Sequence, residues 1–173
     1  GAGFALTGLS GKKQALLTVA AVALVLFDFF PKSITSFAEI GPRPVDEWLA
    51  EQAVDGSVMR YPFYLNDDQA GTYYTLYNEK PFIGGFFNAF PTDQYRRIKD
   101  TMNGFPSGES LELAETLGVS FFLVEESELR TAISEGSVPW SSPEELYSAA
   151  EALGLEEQGV FADVHVFCPA GND

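Results

Sequence analysis

The chain has 173 residues, of which 46% are hydrophobic and 14% aromatic, enough to bury the core of one domain and to exclude a disordered chain. Its formal net charge of -15 argues against nucleic acid as a partner, because phosphates would be repelled and the sequence has no large cluster of Lys and Arg to release counterions. The single cysteine, Cys168, excludes an internal disulfide and a cysteine-based zinc site, and the single histidine, His165, excludes a pair of histidine ligands.

An apolar segment lies near the start of the sequence. Residues 15–27 include no charged side chain, and Lys12 and Lys13 precede them. Three interpretations compete: a transmembrane helix, a secretory signal or membrane anchor, and a helix buried inside a soluble protein. The segment has no polar face at helical spacing, so a buried helix would need apolar partners on every side, which a small domain rarely supplies. The sequence therefore favours contact of residues 14–30 with a lipid bilayer, as a short span with Asp28 at the interface.

The two lysines also predict an orientation and a domain division. Positive residues flank the cytoplasmic side of membrane helices, so the following domain is expected outside the cytoplasm. Turn-forming residues at 41–44 (GPRP) mark a boundary, and the formal charge changes from +2 over 1–43 to -17 over 44–173. The predicted parts are a tail or the end of a preceding segment at 1–11, a transmembrane helix at 12–31, a linker at 32–43 and an extracytoplasmic domain at 44–173. Because the chain begins at Gly1, it is expected to belong to a longer membrane protein.

Helix and strand patterns alternate from Pro44 onward. In chain order they predict a helix at 45–53, strand 57–61, helix 70–77, strand 81–83, a helix capped by Thr92, a helix capped by Ser110 that ends at Gly118, strand 119–124, a helix capped by Ser142 that ends at Gly154, and a hairpin of strands 158–161 and 164–167. The strand at 119–124 is a continuous apolar run, which is typical of burial on both faces. The interleaved order predicts an α/β fold, with a small layered mixed sheet flanked by helices.

Motifs of catalysis are sparse. Phosphate-binding glycine loops, the paired-histidine zinc motif and the serine elbow of hydrolases do not occur in the sequence. Adjacent acidic pairs such as Glu144-Glu145 are typical of solvated turns and helix caps. His165 alternates with valines and is expected at a strand surface, and Cys168 is expected to be a small buried hydrophobe. No catalytic residue, metal ligand or cofactor is predicted.

Residues 61–91 concentrate aromatic side chains around Asn, Lys and paired glycines. Two interpretations stay open. Such rings beside polar groups suit stacking on a sugar or contact with a membrane surface, or the same rings form the core of the domain. The candidate ligand-binding residues are Tyr61, Tyr73, Tyr74, Asn78, Lys80, Gly84 and Gly85.

Several short motifs occur in the order known from one family. They are 45–52 (VDEWLAEQ), 55–58 (DGSV) before Tyr61-Pro62, Tyr73-Tyr74, Lys80-Pro81 with Gly84-Gly85, Pro91 and Tyr95, Phe105-Pro106, 117–119 (LGV) before the strand at 121–124, and 161–164 (FADV). Together they resemble the C-terminal extracytoplasmic domain of bacterial multi-pass membrane glycosyltransferase-like proteins of the GT-C type, which depend on dolichyl- or polyprenyl-phosphate sugars. One position departs from that pattern, because the family has His two residues before the Lys-Pro pair and this chain has Asn78.

The resemblance implies an accessory role at the cell membrane. In such enzymes the membrane helices and early outer loops hold the catalytic acid and the sugar donor, so this domain is not expected to be catalytic by itself. It is expected to contact glycan or a polyprenyl-linked sugar. The alternative is a membrane-anchored module of the cell envelope that binds a protein partner.

Overall fold

The computed structural model describes residues 11–29, 41–63, 68–84 and 93–171. The chain divides into two compact units, Gly1–Ile40 and Gly41–Asp173. In the first unit the described residues form one helix, α1 (Gly11–Phe29). Among the described helices, none has both the length and the apolar character that crossing a membrane requires.

The second unit contains a four-stranded sheet. Its described elements are α2 (Pro44–Glu51), β1 (Ser57–Tyr61), α3 (Asp68–Asn78), α4 (Asp93–Met102), α5 (Gly108–Thr116), β2 (Val119–Glu125), α6 (Glu126–Glu135), α7 (Pro143–Ala152), β3 (Leu155–Phe161) and β4 (Val164–Pro169). The strand order is β1-β2-β4-β3. Strand β1 runs parallel to β2, whereas β4 runs antiparallel to both β2 and β3. The predicted α/β fold with a mixed sheet and flanking helices is confirmed.

Strand β2 contributes to two hydrophobic clusters because successive side chains of a strand point to opposite faces. Phe122 and Val124 belong to a cluster that also contains core residues of α4, α5, α6 and α7. Phe121 and Leu123 belong to a second cluster, which includes residues of α2 and β4. All four side chains are at most 2% exposed, which confirms the predicted burial of this strand on both faces.

Local capping signals set the ends of two helices. The Ser142 hydroxyl accepts a hydrogen bond from the Glu145 N–H, which confirms its predicted role as the cap of α7. The predicted cap at Ser110 is wrong, because α5 starts earlier and Ser107 is its cap. Ser110 is the partner in this capping box: its N–H donates to the Ser107 hydroxyl and its own hydroxyl accepts from the Ser107 N–H. Both residues are serine, which suits either position, so the residue type did not distinguish the cap from its partner.

Three other elements differ from the predictions. The segment 81–83 forms an isolated parallel bridge between Phe82 and Val58 and not a strand. The Val58 N–H donates to the Pro81 carbonyl oxygen and the Ile83 N–H to the Val58 carbonyl oxygen, and Pro81 has no N–H with which to extend the ladder. Helix α6 was not predicted, since it follows β2 without an intervening turn. Strand β3 begins at Leu155 rather than 158, with a register irregularity between Glu157 and Gly159. The predicted helix cap Thr92 lies outside the described residues.

Candidate functional site

Helix α3 presents two tyrosines on its surface. Tyr73 and Tyr77 lie one turn apart, with ring centroids separated by 5.8 Å and ring planes inclined by 59°. Tyr73 is 40% exposed and Leu76, which shares this side of the helix, is 70% exposed. The hydrogen bond with Tyr73 raises the pKa of Tyr77 above its ordinary value. We refer to Tyr73, Leu76 and Tyr77 as the tyrosine face.

Tyr74 contacts a cation of its own domain. The guanidinium carbon of Arg43 lies 3.7 Å from the centroid of the Tyr74 ring. Arg43 is held there by Asp46, with Nε 2.8 Å from Oδ2 and Nη2 3.1 Å from Oδ1. The structure therefore gives Tyr74 a role in attaching α3 to the start of α2.

Asn78 and Lys80 bind backbone and side-chain groups of the same domain. Asn78 is 3% exposed; its Nδ2 donates to Asp46 Oδ1 at 3.2 Å and its Oδ1 accepts from the Lys80 N–H at 3.0 Å. The Lys80 ammonium donates to the carbonyl oxygens of Gln52 and Val54, at 2.7 and 3.0 Å. These contacts connect the end of α3 to the segment after α2.

Tyr61 and Gly84 also contact the protein interior. Tyr61 is 2% exposed, and its hydroxyl donates to the Asn103 carbonyl oxygen at 3.1 Å. A Cβ on Gly84 would lie 2.3 Å from Cε1 of Phe82, so glycine allows that ring to pack there. Gly85 lies outside the described residues. Among the predicted ligand-binding residues, Tyr73 is the one that the structure describes as exposed, and their binding role stays a prediction.

A cluster of five charged residues connects distant parts of the chain, and sequence reasoning missed it. We call it the charge cluster: Arg43, Asp46, Arg60, Glu125 and Glu128. Glu125 Oε1 accepts from Arg43 Nη1 at 2.9 Å and from Arg60 Nε at 2.7 Å, while Arg60 Nη2 lies 3.3 Å from Glu128 Oε1. Arg43 and Glu125 are 82 residues apart, so no local pattern could have indicated this pairing. The cluster borders a cavity of about 230 Å³.

Ion pairing decides the protonation states within the charge cluster. Burial alone would raise the pKa of Glu125, but the hydrogen bond and charge of Arg60 together with the charge of Arg43 outweigh it and lower that pKa. Burial likewise opposes the charge on Arg43, and Asp46 and Glu125 more than compensate, so its pKa is raised. In the described residues, every buried side-chain nitrogen or oxygen has a hydrogen-bond partner. The arrangement is that of a structural network in which each of the two guanidinium groups contacts two carboxylates.

His165 lies between two carboxylates, a contact that the sequence did not indicate. Its Nδ1 contacts Glu157 on β3 and its Nε2 lies 3.1 Å from Glu126 Oε2 on α6. The ring of Tyr147 stacks on the imidazole at a centroid distance of 4.4 Å. The side chain is 14% exposed, so the expected strand-surface position is largely covered by these neighbours. The cluster attaches α6 and α7 to the β3–β4 hairpin.

Cys168 and the acidic groups give no sign of nucleophilic or metal chemistry in the described residues. Burial raises the pKa of the Cys168 thiol to about 11, which keeps it protonated and confirms the expected buried, apolar character. Across 11–29, 41–63, 68–84 and 93–171, no group of three or more His, Cys, Asp or Glu is arranged to hold a metal ion.

Comparison of this chain with protein-family models, with curated proteins and with solved structures finds no match, so the family resemblance drawn from the sequence motifs stays a prediction.

Proposed function

We propose that residues 44–173 form an accessory extracytoplasmic domain of a membrane glycosyltransferase-like protein. In this proposal the domain is not catalytic by itself and contacts glycan or a polyprenyl-linked sugar. The observation that carries the proposal is the tyrosine face, with Tyr73 exposed and the Tyr77 ring 5.8 Å away on the same helix.

The chemistry of the tyrosine face suits a sugar. Aromatic rings offer an apolar surface to the C–H groups of a pyranose, and a phenol hydroxyl can bond to a sugar hydroxyl. Leu76, which is 70% exposed, adds apolar area beside the rings. A surface of this size supports weak, accessory contact rather than an enclosed active site.

Membrane attachment is supported by the sequence of the first unit. Residues 15–27 have no charged side chain, Lys12 and Lys13 precede them, and the following domain is strongly acidic. This pattern favours contact of residues 14–30 with lipid and an extracytoplasmic position for 44–173. Helix α1, with its three charged residues Lys12, Lys13 and Asp28, would then need its lysines and Asp28 at the two interfaces.

The hydrogen bonding of the charged side chains supports a non-catalytic role. In the described residues, the guanidinium groups of the charge cluster contact carboxylates of the same cluster, and both ring nitrogens of His165 contact carboxylates. A catalytic acid or base needs a position from which it can reach a substrate proton. The charge cluster and His165 instead connect helices to the sheet, so we assign them a structural role.

Titration of the full chain with a polyprenyl-phosphate sugar in lipid nanodiscs tests the sugar contact. We expect saturable binding by isothermal calorimetry that weakens about tenfold in the Tyr73→Ala/Tyr77→Ala double variant, because two aromatic contacts contribute about 1–3 kcal/mol together. Val160→Ala, which truncates another exposed apolar side chain, is the matched control and is expected to bind like the wild type. Equal binding by the double variant, or no binding by the wild type, would contradict the proposal.

The second candidate is a module that binds a protein partner. It is favoured by a groove at the ends of α5 and α7, where Leu153 is 44% exposed. Loss of partner binding on mutation of that groove, with sugar binding intact, separates the two functions.

A further inference from the structure

A groove of about 560 Å³ lies where strands β1, β2 and β3 begin. This volume falls in the range of about 300–1,000 Å³ that is typical of binding sites. Its floor is formed by buried apolar residues of α5, β2 and β3, namely Ala114, Val119, Phe122 and Leu155, and the half-buried Leu111 and the exposed Leu153 lie at its surface. Leu153 is 44% exposed, so a large apolar side chain is available to an occupant.

Three carboxylates accompany this apolar lining. Asp55, Glu112 and Glu115 line the groove and are exposed. Lys and Arg are missing from the described residues that line it. A side chain that enters the groove therefore meets apolar surface flanked by negative charge.

Helix direction adds to the negative potential of the groove. Both α5 and α7 end at it, and the glycines that follow their C-terminal caps, Gly118 and Gly154, are part of its lining. The carboxyl end of a helix carries partial negative charge, which favours basic residues there. Neither α5 nor α7 has a basic residue in its last turn, and α5 has Glu115 instead.

We propose that this groove binds a peptide segment of a partner protein in which apolar side chains are flanked by Lys or Arg. The apolar side chains would lie against Leu111 and Leu153, and the cationic groups would lie near Asp55, Glu112 and Glu115. The proposal does not rest on the sugar contact of the tyrosine face, which uses other residues.

The negative charge of the chain favours a basic peptide over a second copy of the chain as the occupant of the groove. Each copy has a formal net charge of -15, so two acidic domains would repel one another across a groove that is itself acidic. A basic segment gains from both the carboxylates and the two helix ends. Its binding should weaken with added salt, because exposed charge pairs are screened.

Fluorescence anisotropy with a labelled synthetic peptide tests the proposal on the full chain. The probe has two leucines flanked on each side by two lysines, and two reference peptides replace either the lysines with glutamates or the leucines with serines. We expect saturable binding of the probe only, weakened at least threefold when salt rises from about 50 to about 300 mM.

Substitutions of residues that line the groove test whether the peptide probe binds there. We expect Glu112→Gln/Glu115→Gln to weaken probe binding about fivefold, as for the loss of two exposed charge pairs, and Leu153→Ser to weaken it by a similar factor. Glu47→Gln/Glu51→Gln is the matched control, since it removes two exposed carboxylates from one turn of α2 and is expected to change binding less than twofold. Thermal unfolding of every variant checks that the fold is retained.

Four results would overturn the proposal. Three come from the peptide assays: the absence of saturable probe binding, equal weakening in the control variant, and tight binding of the serine peptide, which would show attraction by net charge alone. The fourth is a dimer of the wild type that dissociates in Glu112→Gln/Glu115→Gln by sedimentation velocity, which would identify a second copy of the chain as the occupant.

Discussion

Glu125 is the residue on which the charge cluster most depends. Its Oε1 accepts hydrogen bonds from Arg43 and Arg60, which come from the cap of α2 and from β1. This carboxylate is shared by two guanidinium groups whose side chains are 21% and 10% exposed. Without it, Arg43 keeps Asp46 and Arg60 keeps Glu128, but the two partly buried cations lose the acceptor between them, which costs more than the loss of an exposed pair.

Replacing this carboxylate tests its structural role. We expect Glu125→Gln to lower the free energy of unfolding by about 2 kcal/mol, because two hydrogen bonds between charged groups are weakened while each guanidinium keeps a second carboxylate. Glu51→Gln, which removes an exposed carboxylate from α2, is the control and should change stability by less than about 0.5 kcal/mol. Urea unfolding followed by circular dichroism measures both, and similar small effects of the two substitutions would contradict this account.

The lowered pKa of Glu125 also makes stability depend on pH. A carboxyl whose pKa is lower in the folded state stabilises the protein above its unfolded value, near 4.5, and loses that contribution as pH falls through the folded pKa. We expect the unfolding free energy of the wild type to decrease as pH falls below about 4.5, and more steeply than that of Glu125→Gln. The variant keeps a smaller slope of the same sign, because hydrogen bonds from Arg130 and His165 lower the pKa of Glu126. Parallel stability curves for the two proteins would show that Glu125 is not the group responsible.

At the scale of single elements, glycine ends helices where the backbone turns left-handed. Gly136 follows α6 with a φ of 66°, and its N–H donates to the carbonyl oxygens of the last turn. Only glycine adopts this conformation at little cost, whereas alanine there is strained. The same residue type in the first turn of α5, Gly108, has no positive φ and serves as a comparison.

Alanine substitutions at Gly136 and Gly108 distinguish the cost of backbone strain from the cost of steric crowding. We expect Gly136→Ala to lower the free energy of unfolding by about 1 kcal/mol. Gly108→Ala is expected to be neutral or stabilising by a few tenths of a kcal/mol, because alanine restricts the unfolded chain and favours helix. Neither added Cβ would have a neighbour within 4 Å, so crowding cannot explain a difference. Thermal and urea unfolding test this, and equal effects at the two sites would refute it.

The sequence predicted those elements whose signals are local. Helix α7 was predicted because Ser142, Pro143 and Gly154 mark its ends within a dozen residues, and β2 because its apolar run is continuous. Helix α6 was missed because it starts immediately after β2, where the cap residue Glu125 makes no side-chain hydrogen bond to the helix start. The segment predicted as a strand at 81–83 pairs with β1 at one bridge only, and the extent of pairing depends on two segments and not on one.

At the scale of the whole molecule, long-range contacts decide which predicted site residues are available. Asn78, Lys80 and Tyr61 were predicted as ligand-binding, yet their hydrogen-bond partners lie 32, 28 and 42 residues away in sequence. No sequence pattern indicates such partners. The tyrosine face is different, because the spacing of Tyr73, Leu76 and Tyr77 places them on one side of a helix by local geometry alone.

The two proposals use separate parts of the acidic domain. The tyrosine face lies on α3, and the groove lies between α5 and the turn that follows α7. The sugar contact depends on the domain being located where lipid-linked sugars occur. The central claim is therefore the position of residues 44–173 outside the cytoplasm, with residues 14–30 in contact with lipid.

Labelling of single cysteines in intact bacterial cells tests this position most directly. In a Cys168→Ala background, Glu51→Cys places a thiol at an exposed position of the domain, and Lys12→Cys places one on the opposite side of the apolar segment. The account predicts that a membrane-impermeant maleimide labels residue 51 in intact cells and residue 12 only after permeabilisation. Labelling of residue 51 only after permeabilisation, with the protein in the cytosolic fraction, would contradict it.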